Sequence, residues 1–220
     1  MSVSLDDESP AELRDTLQRG IKQLGLSTTN EQLDVLMEYL ALLVKWNSAF
    51  NLSGIKKPAE MVTIHLLDSL SISTYINGRI ALDIGSGAGL PGVPLAILNP
   101  NKHFILLDSN GKKTRFLFQV KLALKLGNIS IENKRIEHYQ CKEQIDIVMS
   151  RAFSSLPKLV QLCSEVVNGK CKLLAMKGAY PASEIENLPA CYNNPKITKL
   201  TVPGLNGERH LVEILLNGQC

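Results

Sequence analysis

The amino-acid sequence predicts an α/β fold, doubly wound around a mainly parallel sheet, with an N-terminal helical extension over residues 1–78 and the sheet unit over residues 79–220. Three observations predict it. Apolar residues recur at helical spacing through the N-terminal part of the chain. From Ile80 onward, short β-rich runs alternate with longer helical stretches, the pattern of stacked βαβ units. Near the end, two apolar runs flank Pro203-Gly204-Leu205-Asn206-Gly207, a turn signature that predicts a closing antiparallel hairpin.

Ser9-Pro10-Ala11-Glu12 places a capping Ser, a Pro at the first helical position and a Glu three residues after the cap. Leu13, Leu17, Ile21 and Leu24 follow at helical spacing, so a first helix begins there. Thr28-Thr29-Asn30-Glu31 repeats the capping pattern ahead of Leu33, Leu36, Met37, Leu40, Leu43 and Val44, one apolar face of a second helix. Lys57-Pro58-Ala59-Glu60 opens a third, through Met61, Ile64, Leu67 and Leu70. Candidate strands cover residues 80–84, 104–107, 129–132, 145–149 and 171–176. Stretches 112–126 and 156–167 read as crossover helices ending near Gly127 and Gly169, where C-terminal caps belong. The tail hairpin uses 197–202 and 210–216.

Composition excludes several classes. With 220 residues, 45% of them apolar and 20% charged, the chain reads as one compact globular unit with a small extension. Its longest apolar stretches are broken by Asp34, Glu38 and Lys45, short of the ~18 uncharged residues of a membrane helix. Met1 to Pro10 is acidic and lacks the order of a secretory signal, so a cytoplasmic location is expected. Five cysteines without a C-x-x-C pair suggest reduced, mostly buried thiols, and four scattered histidines give no metal-ligand spacing, so no metal is expected. A net charge of +3 leaves the partner open.

The strongest local signal is the string from Ala81 to Gly92, Ala-Leu-Asp-Ile-Gly-Ser-Gly-Ala-Gly-Leu-Pro-Gly, placed after a strand and before a helix. Glycines there let the backbone turn tightly and open the carboxyl end of the strand to a ligand. Gly87-x-Gly89-x-x-Gly92 satisfies a dinucleotide fingerprint, and Asp108 at the end of the next strand suits ribose hydroxyls. Two details oppose a dinucleotide. Asp83 occupies a strand position that is normally apolar in such sites, and Pro91 and Pro94 remove amide donors that a pyrophosphate needs. S-adenosylmethionine, which has no phosphate, fits better: its ribose diol suits Asp108, and its zwitterionic methionine end suits polar groups and amides around Gly85 to Leu90.

Further strings then resemble one family. They are Lys45-Trp46-Asn47 with Asn51-Leu52, Glu60-Met61, and His65-Leu66-Leu67-Asp68-Ser69-Leu70. The glycine loop, Leu107-Asp108-Ser109 with Lys112-Lys113, and Ser150-Arg151-Ala152-Phe153 follow. Met176-Lys177-Gly178 and Glu208-Arg209-His210-Leu211-Val212 complete the set. In this order, the set resembles the bacterial 16S ribosomal RNA guanine-N7 methyltransferases, also called glucose-inhibited division protein B.

The resemblance implies a methyltransferase fold, S-adenosylmethionine as cofactor, and a monomer acting on 16S ribosomal RNA or the small ribosomal subunit. Matching positions imply cofactor contacts from Gly85, Leu90, Ile136, Glu137 and Arg151, to which the chemistry of the loop adds Asp83, Gly87 and Asp108. Arg151, at the carboxyl end of the fourth strand, is the expected catalytic-site residue, in reach of cofactor and nucleotide. Lys112, Lys113 and Arg115 either line a phosphate path or start a solvated helix. Lys177, Arg209 and His210 either face substrate or cap loop carbonyls. Asn47 and Asn51 are expected to hold a loop and a helix end. His65 and Asp68 are expected to pair and brace the extension, and Trp46 to be core. The alternatives are a methyltransferase of small molecules or proteins, a non-enzymatic ribosome-assembly factor that binds the cofactor, and an NAD-dependent oxidoreductase.

Overall fold

The computed structural model describes residues 8–141, 143–167 and 169–216. Most of the acidic N-terminus, and Cys220, lie outside the described residues. Helix α1 (Pro10–Gln23) starts with the expected capping box: Ser9 Oγ accepts from the Glu12 amide at 3.3 Å, and the Glu12 carboxylate accepts from the Ser9 amide at 2.7 Å. Helix α2 (Asn30–Phe50) uses Thr29 and Gln32 in the same way and buries Leu33, Leu36, Tyr39, Leu40 and Leu43. It ends at Asn51, whose φ of 51° is left-handed. Asn47 donates to the Ile55 carbonyl and accepts from the Ser53 amide, both at 2.7 Å, so it pins the loop that follows. Trp46 packs between Phe50 and Phe116, as a residue at the edge of a core should.

The third helix departs from its sequence pattern. Helix α3 (Pro58–Met61) passes through a π-helical segment, Val62–Leu67, into α4 (Asp68–Leu70). A π segment widens the turn and rotates the residues after it. Ile64, expected to point inward, is only partly buried, whereas every residue from His65 to Leu70 is buried. Asp68 lies inside with them.

The sheet then builds in order as β1 (Ile80–Ile84), α5 (Gly92–Leu98), β2 (His103–Leu107), α6 (Gly111–Ala123), β3 (Ile129–Glu132), β4 (Ile147–Arg151), α7 (Leu156–Val166), β5 (Cys171–Lys177), α8 (Ala182–Glu186), β6 (Lys196–Lys199) and β7 (His210–Leu216). Its seven strands lie in the order β3-β2-β1-β4-β5-β7-β6. β1 to β5 run parallel, while β7 is antiparallel to β5 and to β6. The winding reverses between β1 and β4, the crevice where such sheets bind ligands. Alternate strand residues face opposite cores. Ala81, Phe104, Leu106 and Met149 pack under α1, α2, α5 and α6, whereas Leu82, Ile84, Val148 and Leu173 pack under α7.

Three boundaries differ from the sequence reading. β4 begins at Ile147, because the Asp146 carboxylate turns back to accept the Arg79 and Ile80 amides at 2.7 and 3.0 Å. It continues through the polar Ser150 and Arg151. β6 stops at Lys199, because Leu200 and Val202 leave the hairpin to join the core shared with the N-terminal helices. Helix α6 is closed by Lys125 at φ 53°, not by Gly127. The Leu126 amide reaches back to the Lys121 carbonyl at 3.1 Å and Leu126 is buried, so apolar contact holds a lysine in a glycine-favoured conformation. Of the cysteines, Cys163 and Cys171 are buried and free and Cys141 is partly exposed. Cys191 is disulfide-bonded, against the expectation of reduced thiols; spacing along a chain does not report distance in space.

One buried carboxylate ties the helical layer to the sheet. Asp68 is 2% exposed. Its Oδ2 accepts from Arg151 at 3.0 Å and its Oδ1 from Arg209 at 2.8 Å, while Arg151 also donates to the Ile64 carbonyl at 2.8 Å. The expected His65–Asp68 pair is therefore replaced by two arginines from the sheet unit, and His65 Nε2 meets Ser53 Oγ at 2.7 Å instead. Burial keeps the His65 ring neutral, with its pKa pulled down to about 4, and the nearby Arg151 charge acts in the same direction.

Removing one partner of a buried ion pair strands the others, so Asp68→Asn is expected to lower unfolding stability by roughly 3 kcal/mol, the low end of the range because both arginines keep some solvent contact. Urea denaturation measures it. In the same assay Asp146→Ala, which leaves two amides without an acceptor, is expected to cost about 1–3 kcal/mol.

Candidate active site

β1 delivers Asp83 and Ile84 to the crevice, and the chain then turns through Gly85 (φ 69°), Gly87 and Gly89 to reach α5. Three of the loop's glycines are required by space, Gly89 among them because a Cβ there would overlap Val93 and Leu117. A Cβ on Gly85 would overlap the Phe153 ring, and one on Gly92 would overlap Leu106 and stand 2.7 Å from Asp83 Oδ2. The loop also satisfies most of its own donors, the Ala88 amide excepted. The Gly85 and Ser86 amides donate to the Leu107 carbonyl at 2.8 and 3.1 Å, and those of Gly89 and Leu90 donate to the Ser86 carbonyl at 2.7 and 2.8 Å. The Gly87 amide donates to Asp108 at 2.8 Å and that of Gly92 to Asp83 at 2.9 Å. Pro91 has no donor.

This accounting revises one expectation. The methionine end of a cofactor cannot lean on these amides, because a backbone N–H already committed inside the protein is a poor donor to a ligand. It equally leaves no amide cradle for a pyrophosphate.

The two acids have separate positions. Asp83 is fully buried and does not line the cavity; it fixes the start of α5 through Gly92, and its Oδ1 has no partner among the described residues. Burial pushes its pKa up to about 7, opposed by the Gly92 amide and the Arg151 charge. Asp108 opens the loop after β2, where Oδ2 holds Gly87 and Oδ1 accepts from the Asn110 amide at 2.8 Å. The Asn110 side chain in turn caps α6 on the Lys112 amide at 2.9 Å.

A cavity of about 410 Å³ opens at this crevice. Gly85, Asp108, Ile136 and Glu137 of the predicted set line it, together with Lys113. Lys134 and Arg135 also line it, as do Ser109, Ala152 and Phe153, which stand in the family's strings but were given no site role from the sequence. Gly87 braces the wall through Asp108, and Leu90 is buried behind the loop. Tyr39 was likewise missed: its buried hydroxyl donates to the Ala88 carbonyl at 2.7 Å and so links α2 to the glycine loop, and burial pushes that hydroxyl's pKa far up. An apolar helix face gave no signal for it, since a Tyr among leucines reads as core.

The remaining candidates are mostly tied inside the protein. Arg151, at the end of β4, does not itself line the cavity and is held by Asp68 and the Ile64 carbonyl. Lys177 donates to the Ser154 carbonyl at 3.0 Å and pairs with Glu184 at 2.8 Å. Arg209 serves Asp68 and the Glu208 carbonyl, and His210 Nδ1 donates to the Gly178 carbonyl at 2.9 Å beneath Tyr180. Lys112 and Arg115 are exposed on the first turns of α6.

Asp83 sets a pH dependence. A carboxylate with a raised pKa in the folded state takes up protons on folding, so its contribution to stability falls as pH rises from its unfolded value of ~4 to about 7. Asp83→Asn, which still offers Gly92 an acceptor, is expected to flatten the stability profile across that window. Unfolding curves of both proteins at a series of pH values check this.

Comparison with known proteins places this geometry. The family model described as GidB, rRNA small subunit methyltransferase G, matches residues 32–212. The Ribosomal RNA small subunit methyltransferase G of Nitrosococcus oceani is 48% identical over 198 residues, covering 90% of this chain and 92% of that protein. Its namesake in Stutzerimonas stutzeri is 48% identical over 212 residues, covering 96% and 97%. Among solved structures, M. jannaschii TYW2 in complex with AdoMet has a TM-score of 0.52 at 14% identity over 69% of this chain and 75% of its own. A SAM-dependent O-methyltransferase from Thermotoga maritima has a TM-score of 0.53 at 12% identity over 79% and 71%. These two show the fold. From the family model and the near-full-length relatives, the chain belongs to the GidB family, rRNA small subunit methyltransferase G.

Proposed function

We propose that this protein transfers a methyl group from S-adenosylmethionine to N7 of a guanine in 16S ribosomal RNA, acting in the cytoplasm as a monomer on the RNA or the small ribosomal subunit. The observation that carries the reading is the donor accounting of the glycine loop. A cavity at the β1–β4 crevice whose loop amides, that of Ala88 excepted, are spent internally suits an adenosine ligand without phosphate.

The residues present fit such a group. Gly85 keeps the cavity wall free of a side chain, Asp108 and Ser109 stand at the end of β2 where ribose hydroxyls find acceptors, and Ile136 and Glu137 offer an apolar and a polar contact to a purine. When bound, the cofactor supplies an electrophilic methyl on a sulfonium. Guanine N7 carries an in-plane lone pair and no proton, so no side chain has to act as a base. Asp83, although its pKa lies near neutrality, is sealed from the cavity and is not one. The chain's contribution is to position the base in line and to exclude water. Arg151, fixed by Asp68 and Ile64 at the end of β4, supplies a charge of defined position beside the reacting groups.

The test is transfer of labelled methyl from S-adenosylmethionine to small-subunit ribosomal RNA from cells lacking the activity, with digestion to locate the label. Label at guanine N7 with the wild type, reduced at least tenfold in kcat/KM by Arg151→Ala, a loss of about 1.4 kcal/mol of transition-state stabilisation, is the expected outcome. Cofactor binding without label on RNA or subunits would instead favour a small-molecule substrate.

A further inference from the structure

The side chain at the cavity mouth that neither core claims is Phe153. It is 40% exposed and belongs to neither apolar cluster, although it directly follows a buried strand. Its position is built rather than incidental. Ala152, immediately before it, adopts φ 54°, a left-handed conformation that costs a non-glycine residue free energy and persists only where neighbours enforce it. That conformation turns the chain off β4, so that the ring lies against the bare backbone of Gly85, the position where any side chain would overlap it. The segment after it is anchored as well. Lys177 holds the Ser154 carbonyl, and Glu184, paired with Lys177, accepts the Leu156 amide at 2.5 Å. An aromatic ring is thus fixed at the rim, with one side on the glycine loop and part of its surface open.

We infer that Phe153 is the stacking platform for the target base: its exposed surface holds a planar purine against the cavity mouth, beside Arg151. The inference rests on the methyl-transfer reading and names the residue that receives the nucleotide. Proteins that take a base out of its stack recover the lost stacking on a rigid aromatic side chain, and such a contact is sequence-tolerant because every base has a π face. Selection of the guanine edge then falls to other groups, and Phe153 supplies affinity and orientation.

The experiment uses full-length protein in three forms, with Phe153 unchanged, Phe153→Leu and Phe153→Trp. Trp46 is the only native tryptophan and packs on Phe116, so it gives a fixed background. Guanosine monophosphate, with and without S-adenosylhomocysteine, is titrated while tryptophan emission is recorded, and S-adenosylmethionine affinity is measured by calorimetry. The Trp variant is expected to show saturable quenching absent from the wild type. The Leu variant is expected to lose roughly tenfold or more in kcat/KM for RNA, the scale of one base–aromatic stack, with unchanged S-adenosylmethionine affinity, while the Trp variant retains activity. Absence of quenching, or a Leu variant as active as the wild type, overturns the inference. So does a matching fall in cofactor affinity, which would assign the ring to the cofactor. If the wild type methylates no ribosomal RNA, the functional reading fails while quenching still decides the role of Phe153.

Discussion

The structure depends on one buried carboxylate. Asp68 stands in a run, His65 to Leu70, that is buried on every side of its helix, and there it requires cationic partners. Those partners come from opposite parts of the sheet unit: Arg151 from the end of β4 and Arg209 from the residue before β7. A single acid therefore fixes the helical layer, the central strand and the closing hairpin relative to one another. It also fixes Arg151, which precedes the cavity-lining Ala152 and whose guanidinium would otherwise sweep a range of rotamers. Stability and site geometry are here the same interaction.

The glycine loop follows a similar logic. Each acid near it spends a carboxylate oxygen on a loop amide, Asp83 on Gly92 and Asp108 on Gly87. The turn is thus held from beneath and from the side before any ligand arrives. Tyr39 adds a third hold through Ala88, this one from the helical extension. A loop whose donors are internally satisfied is preorganised and needs little rearrangement to admit a ligand. The same satisfaction makes it a poor phosphate site, so rigidity and ligand choice arise together.

Most of the fold was legible because its elements obey local rules. Capping boxes at Ser9 and Thr29, the change of period at Ile80 and the turn at Pro203 each depend on residues close in sequence. The errors arose where distant contacts override local pattern. No periodicity announces a π segment, Lys125 takes a glycine's conformation because Leu126 is buried, and β6 ends where Leu200 and Val202 find a better core. In the site, Gly85 and Asp108 were legible because the glycine motif and the end of β2 mark them, whereas Ile136 and Glu137 came from the family resemblance. Tyr39 and Phe153 were not, since an aromatic residue carries no local sign of which face it presents. His65 and Asp68 were read as partners because they stand three apart on a helix, but the winding between them is not α.

The same reasoning bears on which cations are available to an acidic polymer. With a net charge of only +3, the protein cannot rely on a general positive field to hold RNA, so local placement decides. Lys177, Arg209 and His210 each already satisfy a carbonyl, and the first two a carboxylate as well, so recruiting them to a phosphate would break contacts that shape the site. Lys113, Lys134 and Arg135 line the cavity itself. Lys134 meets Glu132 at 3.1 Å in an exposed pair of the kind that contributes little and is easily exchanged. A cation held only by such a pair can turn to a phosphate at little cost, which Lys177 and Arg209, tied to both a carboxylate and a carbonyl, cannot.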